Sequence, residues 1–145
     1  IIVSKTFSKV IGLAGLRIGY LITRPDIASR LKAVVMANTN MLAIEAAKEA
    51  LKDTDFYKFS LLKNDQAKSH IYSTLDELGL PYVPSHTNFV FFKSGRRIQE
   101  LIPAMRQEGV LICRPFPPLY NWARISTGTM QEVESFSRAL QRIMG

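Results

Sequence analysis

The run Thr6-Phe7-Ser8-Lys9-Val10-Ile11-Gly12-Leu13-Ala14-Gly15-Leu16-Arg17 sets a lysine and an arginine eight residues apart among hydroxyl-bearing and small residues. A lysine amine kept neutral in a dry, confined site is a nucleophile toward carbonyl carbon and forms a Schiff base there. Thr6 offers a hydroxyl hydrogen bond and Arg17 a planar, permanently charged fork, a pairing that suits a phosphate group. Gly12 and Gly15 let the backbone turn tightly and approach a ligand closely. Arg124 is a third cation of interest. It lies between Ala123 and Ile125 in an apolar run, where its charge is costly unless a carboxylate ligand or an internal acid faces it. Ile1 to Val3 reads as the end of a strand, and the turn after it delivers Lys9 near the strand's carboxyl end, where open α/β sheets bind ligands.

A Schiff-base lysine beside a phosphate cradle points to pyridoxal phosphate (PLP), the commonest partner for that chemistry. The segment from Ser8-Lys9 to Gly15-Leu16-Arg17 resembles the lysine motif of the class I/II, fold-type I PLP-dependent aminotransferases, closest to the histidinol-phosphate aminotransferase group. Two further runs, Thr87-Asn88-Phe89-Val90-Phe91-Phe92 and Ala123-Arg124-Ile125-Ser126-Thr127-Gly128-Thr129, resemble C-terminal signatures of the same family in the same order. The resemblance implies that Lys9 carries the cofactor, that Thr6 and Arg17 hold its phosphate, and that Arg124 binds the substrate's carboxylate. It matches Arg114 to an arginine that helps hold the substrate's phosphate, although the Pro115-Phe116-Pro117-Pro118 loop differs from the family's, so a surface role stands beside that one. Asn88, ahead of four apolar residues, hydrogen-bonds backbone or substrate, the backbone role being the commoner at a strand entry.

The reaction so implied moves an amino group from a small amino donor, an amino acid or amino phosphate, to a 2-oxo acid acceptor, with Lys9 as general base and acid. Two alternatives remain. PLP-dependent decarboxylases of the threonine-phosphate type share these motifs, and the chain as given is otherwise a non-catalytic folded fragment. The family's earlier half supplies a small-residue phosphate loop, a stacking aromatic, an asparagine, an aspartate for the pyridinium nitrogen and a tyrosine, and none can be placed here. The sequence therefore reads as a C-terminal portion of an α/β fold-type I enzyme, the end of the large-domain sheet plus the small α/β domain. Residues 1–36 are expected to be a remnant of the large PLP-binding domain, 37–54 a connecting helix region and 55–145 the small domain. The isolated chain is expected to be inactive and the full-length enzyme a homodimer.

Composition fits a globular piece: 145 residues with 47% hydrophobic content suffice to bury about two-thirds of the unfolded surface around one core. No apolar stretch approaches the roughly 20 residues of a membrane span, and a cytoplasmic location is the default. Cys113 is the only cysteine, so no internal disulfide forms. The net charge of +7 is scattered among acidic residues, with Arg96-Arg97 the only adjacent basic pair, which argues against a nucleic-acid partner. His70 and His86 have no ligand partners at metal spacing, and no metal site is expected. Cys113 and Arg114, adjacent on an expected strand, should point to opposite faces, which leaves the thiol apart from that charge.

The elements that must position these residues alternate. Strands are expected at Ile18 to Ile22, Asn88 to Lys93, Val110 to Cys113 and Trp122 to Ser126, with a short extended piece from Pro81 to Pro84. Helices are expected from Pro25 toward Met36, from Met41 to Lys52 with Leu42, Ala46, Ala47 and Leu51 on one face, and from the Asp53 cap to near Gly79. Phe59, Leu62, Gln66, Ile71, Leu75 and Leu78 make an imperfect stripe on that last helix. Ile98 to Gln107 carries Pro103 and should kink, and Met130 to Met144 should turn Val133, Phe136, Leu140 and Ile143 inward.

Overall fold

The computed structural model describes residues 1–36 and 38–145; residue 37, first of the expected connecting region, lies outside the described residues. Helices and strands mix as an α/β class requires, and the chain divides into two compact units, Ile1–Leu61 and Leu62–Gly145.

In the first unit, β1 (Val3–Thr6) and β2 (Gly19–Ile22) pair antiparallel, with Val3 opposite Ile22 and Thr6 opposite Gly19. A Cβ at Gly19 would lie 2.6 Å from the Lys5 carbonyl oxygen, so only glycine lets the two strands close at this end. α1 (Pro25–Ala33) begins with proline in its first turn and stops short of Met36. α2 (Met41–Ala50) is capped by the Asn40 side chain, which accepts from the Leu42 amide at 2.9 Å. Its buried face is Ala43 and Ala47, one residue round from the expected one, and Leu42 and Leu51 are exposed. The small side chains are the ones that pack, because they let the helix approach its neighbours closely. Phe7 is the other buried hydrophobic residue described in this unit.

α3 (Thr54–Glu77) starts in the first unit, where the Asp53 carboxylate accepts from the Phe56 amide at 2.8 Å, and continues through the second. The expected stripe is inward only in its later part. Phe59 and Leu62 are exposed, whereas Ala67, Ile71, Thr74 and Leu75 are buried among the core residues of the second unit.

That unit is a three-stranded antiparallel sheet in the order β3 (Tyr82–Val83), β4 (Phe89–Lys93), β5 (Trp122–Ser126), packed with α3, α4 (Ile98–Gln107) and α5 (Met130–Met144). Alternation sends Val90, Phe92, Ala123 and Ile125 into the core with Leu101 and Met105 of α4 and Val133, Phe136 and Leu140 of α5. α4 continues as one helix through Pro103. The strand expected at Val110 to Cys113 does not form. The Val110 amide instead donates to the Met105 carbonyl at the end of α4, and the segment touches β5 through a backbone bond from Cys113 to Arg124 at 3.3 Å.

Candidate active site

The loop that follows β1 is built from its own hydroxyls. The Thr6 hydroxyl accepts from the Ser8 amide at 3.1 Å and donates to the Ser8 hydroxyl at 2.8 Å, which bends the chain sharply at the strand end. The Gly12 amide then donates to the Lys9 carbonyl, a turn that needs the positive φ of 76° at Gly12. Leu13 donates back to Phe7, whose buried ring anchors the loop 5.7 Å from Tyr20. Gly15 falls inside a single 3-10 turn, Ala14–Leu16, with no positive φ. Arg17 closes the loop in the left-handed region at φ 52°, and its Nη1 donates to the Ala14 carbonyl at 2.9 Å. A non-glycine residue held there is strained, and such strain is typical of binding sites.

This loop and the strand pair form a depression of about 330 Å³ whose lining includes Lys5, Thr6, Ser8, Arg17 and Gly19 and has no carboxylate. The structure thus brings Thr6 and Arg17 together and adds Ser8, to which the sequence assigns no role. The Thr6 hydroxyl, whose proton goes to Ser8, leaves the Ser8 hydroxyl proton free beside the Arg17 guanidinium, and with no competing acid these are donors suited to a phosphate. Lys9 stands in the adjacent turn, exposed, so the described residues do not supply the dry setting its neutral amine requires.

In the second unit Arg124 lies on the face of β5 turned away from Ala123 and Ile125. There, opposite Phe91 in register, its guanidinium carbon is 5.1 Å from the Phe89 ring centroid and 5.0 Å from that of Phe116. On the same face of the sheet Trp122 stacks on Phe91 at 5.0 Å. Nη2 of Arg124 donates to Cys113 Sγ at 3.0 Å, while its Nε is buried with no hydrogen-bond partner. Among the described residues no acid pairs with it. The internal acid allowed by the sequence is therefore absent among them, and the charge is met there by the Cys113 sulfur and the two ring faces.

Arg114 is exposed, donates to the Pro115 carbonyl at 3.2 Å, and places its guanidinium carbon 5.0 Å from the same Phe116 ring. One ring thus gathers both arginines, which makes the neighbourhood positive. Asn88 uses its carbonyl oxygen, which accepts from the amide and the hydroxyl of Thr127, each at 2.9 Å. Both bonds are to its main-chain oxygen and leave the choice between the two side-chain roles where the sequence put it. Cys113 lies outside any strand, and its sulfur meets Arg124, a contact the sequence did not anticipate, while Arg114 turns to Pro115 and Phe116. A larger groove of about 580 Å³ beside β5 and α5 has Glu132 as its only charged lining residue, and that carboxylate caps α5, so the groove offers nothing to an anion. Among the described residues no cluster of three His, Cys, Asp or Glu is placed to hold a metal, and no helix is long and apolar enough to cross a membrane.

Residues 1–140 match the family model described as aminotransferase class I and II. A histidinol-phosphate aminotransferase of Methylococcus capsulatus is 40% identical over 147 residues, covering 99% of this chain and 39% of its own length. Among solved structures, a candidate histidinol-phosphate aminotransferase of Erwinia carotovora atroseptica superposes with a TM-score of 0.93 at 35% identity, over 99% of this chain and 42% of that one. The Sinorhizobium meliloti histidinol-phosphate aminotransferase, solved in complex with pyridoxal-5'-phosphate, superposes at 0.83 with 30% identity, over 99% and 40%. The chain thus spans about two fifths of the length of the relatives it matches.

Proposed function

The chain belongs to the aminotransferase class I and II family, and from that premise we propose that it provides the cofactor lysine, the phosphate cradle and the substrate-anion arginines of a PLP-dependent aminotransferase acting like histidinol-phosphate aminotransferases. The observation that carries this reading is the grouping of Thr6, Ser8 and Arg17 around one acid-free depression, with Lys9 following Ser8 in the chain. Amino transfer is favoured over decarboxylation because the similar proteins described above are named as aminotransferases.

PLP, when bound, supplies an aldehyde that captures an amine and a ring that draws electrons from the neighbouring bond. Thr6, Ser8 and Arg17 hold its phosphate through hydroxyl and guanidinium hydrogen bonds. Lys9 Nζ accepts the proton leaving the substrate's α-carbon and later returns one, the general-base and general-acid role of a primary amine. Arg124 fixes the substrate's carboxylate, and the aromatic rings about it exclude water and so strengthen that pairing. Arg114, on the other arginine contact of Phe116, holds a second anionic group of the substrate, with Asn88 supporting the strand entry. The partners are a small amino donor and a 2-oxo acid, in a cytoplasmic homodimer with no nucleic-acid or membrane partner.

Borohydride reduction of the PLP-loaded enzyme followed by peptide mapping tests the assignment. The cofactor should be found on Lys9. Lys9→Ala should abolish turnover and leave folding intact, while Lys5→Ala, at a residue lining the same depression, should keep the borohydride-reducible link to PLP. Cofactor recovered on Lys5 would overturn the reading.

A further inference from the structure

Arg124 is gripped twice by one residue. The Cys113 amide donates to the Arg124 carbonyl at 3.3 Å, and Cys113 Sγ accepts from Arg124 Nη2 at 3.0 Å. The rings of Phe89 and Phe116, at 5.1 and 5.0 Å, limit where the guanidinium can sit, yet apolar surfaces do not fix its rotation within its own plane. A directional hydrogen bond does. We propose that Cys113 is a positioning residue for Arg124, setting the orientation in which the guanidinium meets an anionic ligand.

The choice of acceptor supports this role. A thiol sulfur is a weak acceptor and orients the guanidinium without competing strongly for it. A carboxylate at the same place would orient Arg124 equally well, but it would satisfy the charge and exclude a ligand's own carboxylate. Among the described residues no acid pairs with Arg124, so within them its charge is not neutralised by a carboxylate, and its buried Nε has no hydrogen-bond partner. Cys113 sits in a segment without strand pairing, which Val110 and Ile112 anchor on the core while Cys113 itself bonds Arg124.

The inference rests on Arg124 as a carboxylate-binding residue, and the test separates the two claims. The dissociation constant of 2-oxoglutarate, chosen as a simple 2-oxo acid, is measured calorimetrically with the holoenzyme and with Cys113→Ala, Cys113→Ser, Cys113→Asp and Arg124→Ala, alongside each melting temperature. Cys113→Ala should weaken binding about tenfold at an unchanged melting temperature, as expected for loss of one hydrogen bond to a charged group. Serine, which restores a neutral acceptor, should bind within about threefold of the parent. Cys113→Asp should approach the loss seen in Arg124→Ala, on the order of a hundredfold. Weakened binding in Arg124→Ala with unchanged affinity in Cys113→Ala, or serine as impaired as alanine, overturns the positioning role alone. Unchanged binding in Arg124→Ala, or no binding by the parent, overturns the reading of Arg124 and this inference with it.

Discussion

Arg17 and Arg124 carry the same charge but are held in opposite ways. Arg17 sits in strained left-handed backbone and folds onto its own loop, a conformation costing on the order of 1–3 kcal/mol that the surrounding turn must sustain. Arg124 extends from a regular strand into a cage of rings. Their substitutions should separate accordingly. Arg17→Ala should release PLP on dialysis, followed by the loss of near-visible absorbance. Arg124→Ala should keep the cofactor and raise the Michaelis constant for the carboxylate substrate, each loss worth about 2–5 kcal/mol. Equal cofactor loss in both would contradict the division. The motif that singles out Thr6, Lys9, Arg17 and Arg124 is a statement about side-chain chemistry at fixed spacing, and of these Thr6 and Arg17 do meet at one depression. Ser8, Gly19 and Cys113 were not legible in this way, since their roles come from a bend, a close strand approach and an irregular segment, none of which leaves a periodic trace.

At the scale of elements, α5 shows how a short sequence signal becomes a stable end. The Thr129 hydroxyl accepts from the Glu132 amide while the Glu132 carboxylate accepts from the Thr129 amide at 2.7 Å, a complete capping box. The Thr129 amide first, and its hydroxyl second, hold the Glu132 carboxyl below its usual range. Because the folded pKa is lowered, the stabilisation is fully present above the ordinary value near 4.5 and is lost as pH falls through the folded one. Thermal melts should therefore show an acid-labile component below that value that is missing in Glu132→Ala. Thr129→Ala should cost about 1 kcal/mol at neutral pH. The same local logic made β4, β5, α4 and α5 readable from caps and alternation. It failed for Val110 to Cys113, an apolar run whose first amide is taken by the end of α4, and for α2, where the buried alanines gave a weaker signal than the exposed leucines.

Across the whole molecule, burial is uneven. Phe7, Ala43 and Ala47 are the buried hydrophobic residues described in the first unit, which leaves Leu21, Ile22, Val34, Val35 and Leu42 exposed, whereas the second encloses a continuous core from Ala67 to Leu140. Amide exchange on the isolated chain should show this directly. Core amides around Ile71, Phe92 and Leu140 should exchange only with global opening, and those of β1 and β2 orders of magnitude faster. Uniform protection from Ile1 to Gly145 in a monomer would contradict it. The unevenness also has a calorimetric consequence. Apolar hydration is what gives unfolding its heat-capacity change, so nearly all of that change, on the order of 1 kcal/mol/K for a body the size of the second unit, should accompany one cooperative peak. The first unit should melt beneath it as a broad, nearly flat baseline slope, with a stability that hardly curves with temperature and therefore has little to lose in the cold.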